Sequence, residues 1–353
     1  MGDRLVIVGD CGGTNTRLSL WSIPADAPEP KRKEKAPGTL QFDNKYQNEQ
    51  HKNFLDIMKL FLEESKTSET PVAACLACAG PILDNTVSFT NIKNGWFISG
   101  SALEKQLNIN KVLLVNDFTA MGYGLLTLAD DECLILNDVP PKEGGVVATI
   151  GAGTGLGECF LTKDPKAKGY KCWATEGGHT DWAPHTDLEV EILAYARKKF
   201  RAKARVSVER IISGPGIALI YEFLALKKFP EKVTPAVHEK FMNGGAQKGG
   251  IVAMNTKECE LCAQAMEIFF NAYASEAGNA MLKWLPTGGM YLTGGINVKN
   301  LEYYTKNTDF IDTMLDKGRM NAVLSTCPIM VAKTEDVGER GAHLVAYQLV
   351  SGN

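Results

Sequence analysis

Two stretches of the chain share one order of features: a short apolar run, a glycine-rich turn and a second strand-like run. The apolar runs lie at 5–8 and 146–150, and the turns are Asp10-Cys11-Gly12-Gly13-Thr14-Asn15-Thr16 and Gly151-Ala152-Gly153-Thr154-Gly155-Leu156-Gly157. A short β-branched run that ends in glycines predicts a buried strand and a turn whose backbone N–H groups can face an anion. The repeat predicts a chain built from two related halves that together clamp a polyphosphate.

The length of the chain supports two lobes. At 353 residues it exceeds the size at which a single hydrophobic core keeps growing, so we expect a cleft suited to a small molecule. Alternating helical and strand-like patterns predict an α/β fold with mixed β-sheets. Helices are predicted at 53–64, 187–200, 216–228 and 257–285, and further strands at 72–79, 111–116 and 290–293.

Charge and composition narrow the class of partner. With 38 basic and 41 acidic residues the net charge is −3, which favours neither nucleic acid nor an anionic membrane. The basic run at 197–205 could contact nucleic acid, but a basic end to a helix also suits the helix dipole, and we favour the dipole. Nine scattered cysteines, no signal-peptide pattern and no apolar stretch of about 20 residues predict a cytoplasmic protein.

The two glycine turns match neither the P-loop nor the Rossmann spacing, so their chemistry is argued from residue types. Their small residues let backbone amides approach phosphate oxygens, and Thr14, Thr16 and Thr154 add hydroxyl donors. Asp10 could hold Mg²⁺ directly or through water, because that ion prefers carboxylate oxygens and retained waters. Each turn taken alone could equally be an ordinary hairpin or bulge.

Asn116 and Asp117 follow the apolar run at 111–115, which places a carboxylate at the carboxyl end of a predicted strand. Asp117 could accept the proton of a substrate hydroxyl while the amide of Asn116 binds the same substrate. The alternative is plain turn chemistry, which Asn and Asp also favour.

A third polar group is Glu176-Gly177-Gly178-His179, whose carboxylate and imidazole suit adjacent sugar hydroxyls. A structural turn and a zinc site at His179 are the alternatives. Glu209 would by default be a solvated residue in the first turn of a helix capped by Ser207. The pairs Cys75/Cys78 and Cys259/Cys262 are typical of core thiols, with a shared zinc site as the alternative.

In this order and number, the motifs closely resemble the bacterial-type glucokinases, ATP-dependent hexose kinases of the actin-like, hexokinase-like and Hsp70-like ATPase superfamily. The resemblance runs through most of the chain. Besides the motifs above it includes Thr90-Asn91, Asn116-Asp117-Phe118-Thr119-Ala120, Ser213-Gly214-Pro215-Gly216, Gly294-Gly295-Ile296 and Gly341-Ala342-His343-Leu344.

The resemblance implies a two-lobed actin-like ATPase (ribonuclease-H-like) fold. The small domain would span 1–118 and be joined by a C-terminal helix at about 338–353, and the large domain would span 119–337. Family members are often homodimers that close around the sugar, so we expect a homodimer.

The resemblance also implies the reaction and its residues: phosphorylation of D-glucose at the 6-hydroxyl by Mg-ATP, the first step of glycolysis. Asp117 would be the catalytic base, and Asn91, Asn116, Glu176, His179 and Glu209 would bind the sugar. The nucleotide would be bound by Asp10, Gly12, Gly13, Thr14, Asn15, Gly151, Gly153, Thr154, Gly155, Gly294 and Gly295.

Sugar kinases of the repressor and kinase family share the Glu-Gly-His turn but continue into a cysteine-rich zinc motif. Here Thr180-Asp181-Trp182-Ala183-Pro184 follows, which disfavours that branch and its zinc. Cys11 is a departure within the first turn and predicts sensitivity to thiol reagents. Two other functions stay open: a kinase for another hexose or amino sugar, and a sugar sensor without turnover.

Overall fold

The computed structural model describes residues 2–89, 92, 95–164, 169–306 and 309–351. Its strands are β1 (Arg4–Cys11), β2 (Asn15–Ile23), β3 (Thr39–Gln47), β4 (Ala73–Cys78), β5 (Thr86–Phe89), β6 (Trp96–Ser99), β7 (Lys111–Asn116), β8 (Cys133–Asn137), β9 (Val147–Ala152), β10 (Leu156–Lys163), β11 (Tyr170–Thr175), β12 (Gly289–Thr293) and β13 (Ile329–Ala332).

Thirteen α-helices lie in the described ranges. They are α1 (Phe54–Glu64), α2 (Gly100–Leu107), α3 (Asp117–Leu125), α4 (Asp187–Lys199), α5 (Gly214–Phe223), α6 (Pro235–Asn243), α7 (Lys248–Met254), α8 (Glu260–Trp284), α9 (Gly295–Lys299), α10 (Leu301–Lys306), α11 (Asp309–Leu315), α12 (Asn321–Leu324) and α13 (Val337–Ser351). Two compact units divide the chain: Met1–Cys133 with Leu161–Ala174 and Thr334–Asn353, and Leu134–Phe160 with Thr175–Lys333.

The first unit is built on a five-stranded mixed sheet of order β3-β2-β1-β4-β7. The predicted hairpin is confirmed, because β1 pairs with β2 antiparallel across the first glycine turn. Strands β1, β4 and β7 run parallel, and their register aligns Cys11 with Cys78 and Cys78 with Asn116. These three strands therefore end at one edge of the sheet.

Helices cover both faces of this sheet because its central strands are apolar on both sides. One face buries Ile7 and Leu76 with α1 and α2, and the other buries Val8 and Ala77 with α3 and α13. The predicted helix at 53–64 is confirmed as α1, which begins at an Asn53 side-chain cap.

A second main sheet has six strands in the order β11-β10-β9-β12-β13-β8, and β12 is parallel to both β9 and β13. When β8 is left out and the strands of each sheet are numbered in chain order, the order across this sheet is 3-2-1-4-5. The main sheet of the first unit has the same order. The predicted repeat of strand, glycine turn and strand thus extends to the topology of the two sheets.

The long helix α8 fills the core of the second unit, and most of its apolar side chains are buried. One predicted helix differs in the structure. The pattern at 216–228 predicts a single helix, but α5 ends at Phe223 and the chain continues as a π-helical turn over Leu224–Lys228. Within the described ranges, no helix combines the length and apolar character that a membrane span requires.

Candidate active site

The first glycine turn joins β1 to β2 and is held together by Asn48. Gly12 N–H donates to the carbonyl oxygen of Asn15 at 2.9 Å, which closes the turn. Asn48 is buried; its side chain donates to Gly12 O at 2.8 Å and accepts from Thr16 Oγ1 at 2.9 Å. Its backbone N–H also donates to Thr14 O at 2.9 Å. Sequence reasoning missed Asn48, because nothing in its local pattern marks its partners.

Asp10 is exposed at the carboxyl end of β1. Partial desolvation raises the pKa of its carboxyl, and the positive charges of Arg17 and Lys45 oppose that shift. Arg17 is itself paired with Asp43 at 3.1 Å and with Glu339 at 3.7 Å. Over the residues that the structure describes, no group of three or more His, Cys, Asp or Glu side chains could hold a metal ion. One carboxylate still fits Mg²⁺, which proteins commonly bind through one or two carboxylates, waters and substrate phosphates.

Asn116 and Asp117 lie at the junction of β7 and α3, on the sheet edge where β1 also ends. The Asn116 side chain caps α3, since its Oδ1 accepts from Phe118 N at 2.9 Å and Thr119 N at 3.3 Å. Its Nδ2 donates to Gly80 O at 3.1 Å. Two strand spacings separate β1 from β7, or about 10 Å. Asn91, the other sugar-binding candidate of this half, lies outside the described residues.

The second glycine turn follows β9 in the second unit. Gly153 N–H donates to Gly155 O at 2.8 Å, and Gly214 N–H donates to Gly153 O at 2.8 Å. A Cβ added at Gly153 would meet nothing within 4 Å, so this position is open to an approaching ligand. Thr154 lines a cavity of about 320 Å³ whose charged lining residues are Lys199, Arg210, Lys248, Glu209 and Glu222.

Gly294 and Gly295 lie beside this turn, because β12 is the parallel neighbour of β9 and pairs Thr293 with Gly151. Gly294 has a φ of +92°, and an added Cβ there would overlap the carbonyl oxygen of Ala152. This combination requires glycine. The structure thus brings Gly151, Gly153, Gly294 and Gly295 together at the carboxyl ends of two adjacent parallel strands.

Glu176 precedes and His179 ends a 3-10 turn over Gly177–His179, directly after β11. Both side chains are exposed, with 3.8 Å between Glu176 Oε2 and His179 Nε2. Arg205 Nη1 donates to the backbone oxygen of His179 at 2.8 Å. An added Cβ at Gly178 would overlap the carbonyl oxygen of Leu156, so the turn lies directly on the start of β10.

Glu209 lies in a 3-10 turn over Val208–Arg210, and its Oε2 accepts from the backbone N–H of Leu156 at 3.1 Å. The same oxygen would be 2.6 Å from a Cβ added at Gly155. The expected Ser207 cap is wrong, because Ser207 makes no capping hydrogen bond and the segment is a single 3-10 turn. Around Leu156 the structure therefore assembles the glycine turn, the Glu176–His179 turn and Glu209.

Comparisons of the sequence and of the structure with known proteins indicate one family. The family model named Glucokinase matches residues 7–349. The glucokinase of a Synechocystis species is 37% identical over 362 residues, covering 97% of this chain and 98% of that protein. The crystal structure of a glucokinase from an Antarctic psychrotroph is 26% identical with a TM-score of 0.74, covering 98% of this chain and 99% of that one. A Balamuthia mandrillaris glucokinase in complex with glucose shares the fold, with a TM-score of 0.77 at 21% identity and coverage of 98% and 94%.

Proposed function

The chain belongs to the glucokinase family, and we propose that Asp117 is the general base of this ATP-dependent glucose kinase. The enzyme transfers the γ-phosphoryl group of ATP to the 6-hydroxyl of D-glucose, and the products are glucose 6-phosphate and ADP. A carboxylate at Asp117 takes the hydroxyl proton as the new O–P bond forms. The observation that supports this role is its position at the carboxyl edge of the parallel strands β1, β4 and β7, where open α/β sheets bind ligands.

Sugar binding is assigned to Asn116, Glu176, His179 and Glu209. Asn91 keeps the same assignment from the family resemblance. Exposed carboxylate and imidazole groups 3.8 Å apart can bond adjacent hydroxyls, which supports the pair Glu176 and His179. Asn116 has one amide hydrogen left for a substrate after its bond to Gly80.

ATP binding is assigned to Asp10, Gly12, Gly13, Thr14 and Asn15 in the first turn, and to Gly151, Gly153, Thr154 and Gly155 in the second. Gly294 and Gly295 would lie beside the adenosine. The open approach at Gly153 suits an anionic donor bound by backbone amides. Mg²⁺ beside Asp10 would neutralise phosphate charge during transfer.

Two further assignments concern the cellular location and the oligomeric state of the protein. All nine cysteines are free thiols, which supports a reducing cytoplasm as the location. The family resemblance supports a homodimer.

The test is the variant Asp117→Asn with a panel of hexoses. The amide keeps the shape of the side chain but is no base, so we expect turnover to fall at least ~10²-fold. Glucose affinity, measured by calorimetry, should stay within a few-fold. Turnover close to that of the wild type would refute Asp117 as the base. Faster turnover of mannose, fructose or an amino sugar than of glucose would reassign the substrate.

A further inference from the structure

Glu158 is a buried carboxyl group directly beneath the Glu176–His179 turn. It is 1% exposed, and neither of its carboxyl oxygens has a hydrogen-bond partner among the described residues. Thr175 Oγ1 donates to its backbone oxygen at 2.9 Å, which ties β10 to the start of the turn. A Cβ added at Gly177 would overlap Glu158 Oε2, so the carboxyl group fills the space where a side chain at Gly177 would lie.

Helix α8 supplies most of the titratable groups that face Glu158. Glu276 is 5% exposed, and its oxygens contact Lys283 Nζ at 3.6 Å and Asn279 Nδ2 at 2.9 Å. Tyr273 also faces Glu158, and Lys317, beyond α11, faces Glu276. Burial and the charge of Glu276 raise the pKa of Glu158 to about 7, against the opposing charge of Lys283.

We propose that Glu158 is a positioning residue for the sugar-binding turn, and that its neutral carboxyl supports Gly177 while its ionised form displaces the turn. An ionised carboxylate needs hydrogen-bond donors, and among the described residues none donates to either carboxyl oxygen of Glu158. The backbone at Gly177 lies against this carboxyl group. The inference rests on the proposed role of Glu176 and His179 in binding glucose.

The expected signature is a pH-dependent KM for glucose with a nearly constant KM for ATP. Glucose binds the form with a neutral Glu158, which is about one-tenth of the enzyme one pH unit above the pKa. We therefore expect the KM for glucose to rise about tenfold between pH 6 and pH 8. A merely structural role would not produce a profile specific to the sugar.

Three variants shift this profile in different directions. Glu158→Gln removes the titrating group and should flatten the profile. Glu276→Gln removes a negative neighbour and should move the midpoint to lower pH, whereas Lys283→Met removes a positive charge and should move it to higher pH. Glu302→Gln, an exposed carboxyl paired with Lys306 on α10, is the control and should leave the midpoint unchanged. The Glu276 and Lys283 variants keep the test valid if Glu158→Gln fails to fold.

The proposed function and this inference fail in different ways. If His179→Ala binds glucose as tightly as the wild type in calorimetry, the role of the turn in sugar binding is wrong. If His179→Ala weakens glucose binding, but Glu158→Gln keeps the wild-type profile or Glu276→Gln and Lys283→Met leave the midpoint unmoved, the role of Glu158 is wrong. Opposite midpoint shifts in these two variants would support it.

Discussion

Single residues of the candidate site differ in how visible they are in the sequence. Asp117 directly follows a predicted strand and Glu176 directly precedes two glycines. The local sequence pattern is therefore enough to identify both as candidate site residues. Asn48 and Glu158 owe their positions to residues far away in the chain: Asn48 bonds Gly12, 36 positions earlier, and Glu158 faces Glu276 on α8. No local signal encodes such partners, because burial and pairing of these groups arise only when the units fold.

Asn48 gives the first prediction. Asn48→Ala removes two side-chain hydrogen bonds and leaves Gly12 O and Thr16 Oγ1 without these partners. Loss of buried partners costs about 1–3 kcal/mol, so we expect a lower free energy of unfolding in urea. The loosened turn should also raise the KM for ATP several-fold.

Asn44→Ala on β3 is the matched control, because its amide donates to Glu64 on the exposed surface. That variant should lie within about 0.5 kcal/mol of the wild type. A destabilised Asn48→Ala enzyme with an unchanged KM for ATP would remove the link between this residue and phosphate binding.

Gly153 gives the second prediction. A Cβ at this position meets no protein atom within 4 Å, so Gly153→Ala should leave the thermal midpoint nearly unchanged. If the backbone here approaches a phosphate, the methyl group should raise the KM for ATP while the KM for glucose stays constant. Gly250→Ala in α7, where a Cβ also has room, should change neither KM. Equal effects of Gly153→Ala on both substrates would contradict a phosphate role.

At the scale of elements, apolar spacing predicts α1, α4 and α8 well, because each of these helices buries a recognisable set of side chains. Helix contacts are harder to predict, since they depend on which glycine meets which carbonyl group. Gly341 on α13 lies against the carbonyl oxygen of Ala120, and Gly124 on α3 lies against that of Val337. The end of α5 is also hard to predict, because no Pro or Gly follows Phe223 directly. The sequence therefore predicts a single helix over 216–228.

The contact between α3 and α13 gives the third prediction. Gly341→Ala would force a methyl group into the Ala120 carbonyl oxygen and separate the two helices. Overpacking of this kind costs about 1–3 kcal/mol, measurable as a lower urea midpoint. Gly338→Ala on the same helix is the control, because its Cβ would meet only Met121 Cε at 3.8 Å. Equal stability of both variants would show that the helices separate at no cost.

At the scale of the whole molecule, the sequence predicts the two-unit plan through its repeated strand and glycine turn, and the shared 3-2-1-4-5 strand order extends that repeat. One buried group in each unit has a shifted pKa, and the two shifts have opposite directions. The sequence does not predict these shifts, since they depend on burial. In the first unit, burial lowers the pKa of His343 to about 4, and its Nε2 is buried without a hydrogen-bond partner among the described residues. In the second, burial raises the pKa of Glu158 to about 7.

These two shifts predict that the units lose stability at opposite ends of the pH range. His343 is neutral in the folded first unit, so its contribution is present above pH 6.5 and is lost as the pH falls towards 4. Glu158 is neutral in the folded second unit, so its contribution is present below pH 4.5 and is lost as the pH rises through 7. Each effect is worth about 3 kcal/mol at most.

Hydrogen exchange measured by mass spectrometry at pH values from 5 to 8.5, corrected for the intrinsic exchange rate, separates the two contributions. Protection of β1, β4 and α13 should fall towards pH 5, whereas protection of β9, β12 and α8 should fall as the pH rises from 5 to about 7 and then level off. His343→Gln should flatten the acid loss and Glu158→Gln the loss on rising pH, each in its own unit, because neither amide side chain takes up or releases a proton in this range. If both units lost protection together at each extreme, they would unfold as one cooperative body, and the separate assignment of the two shifts to the two units would be wrong.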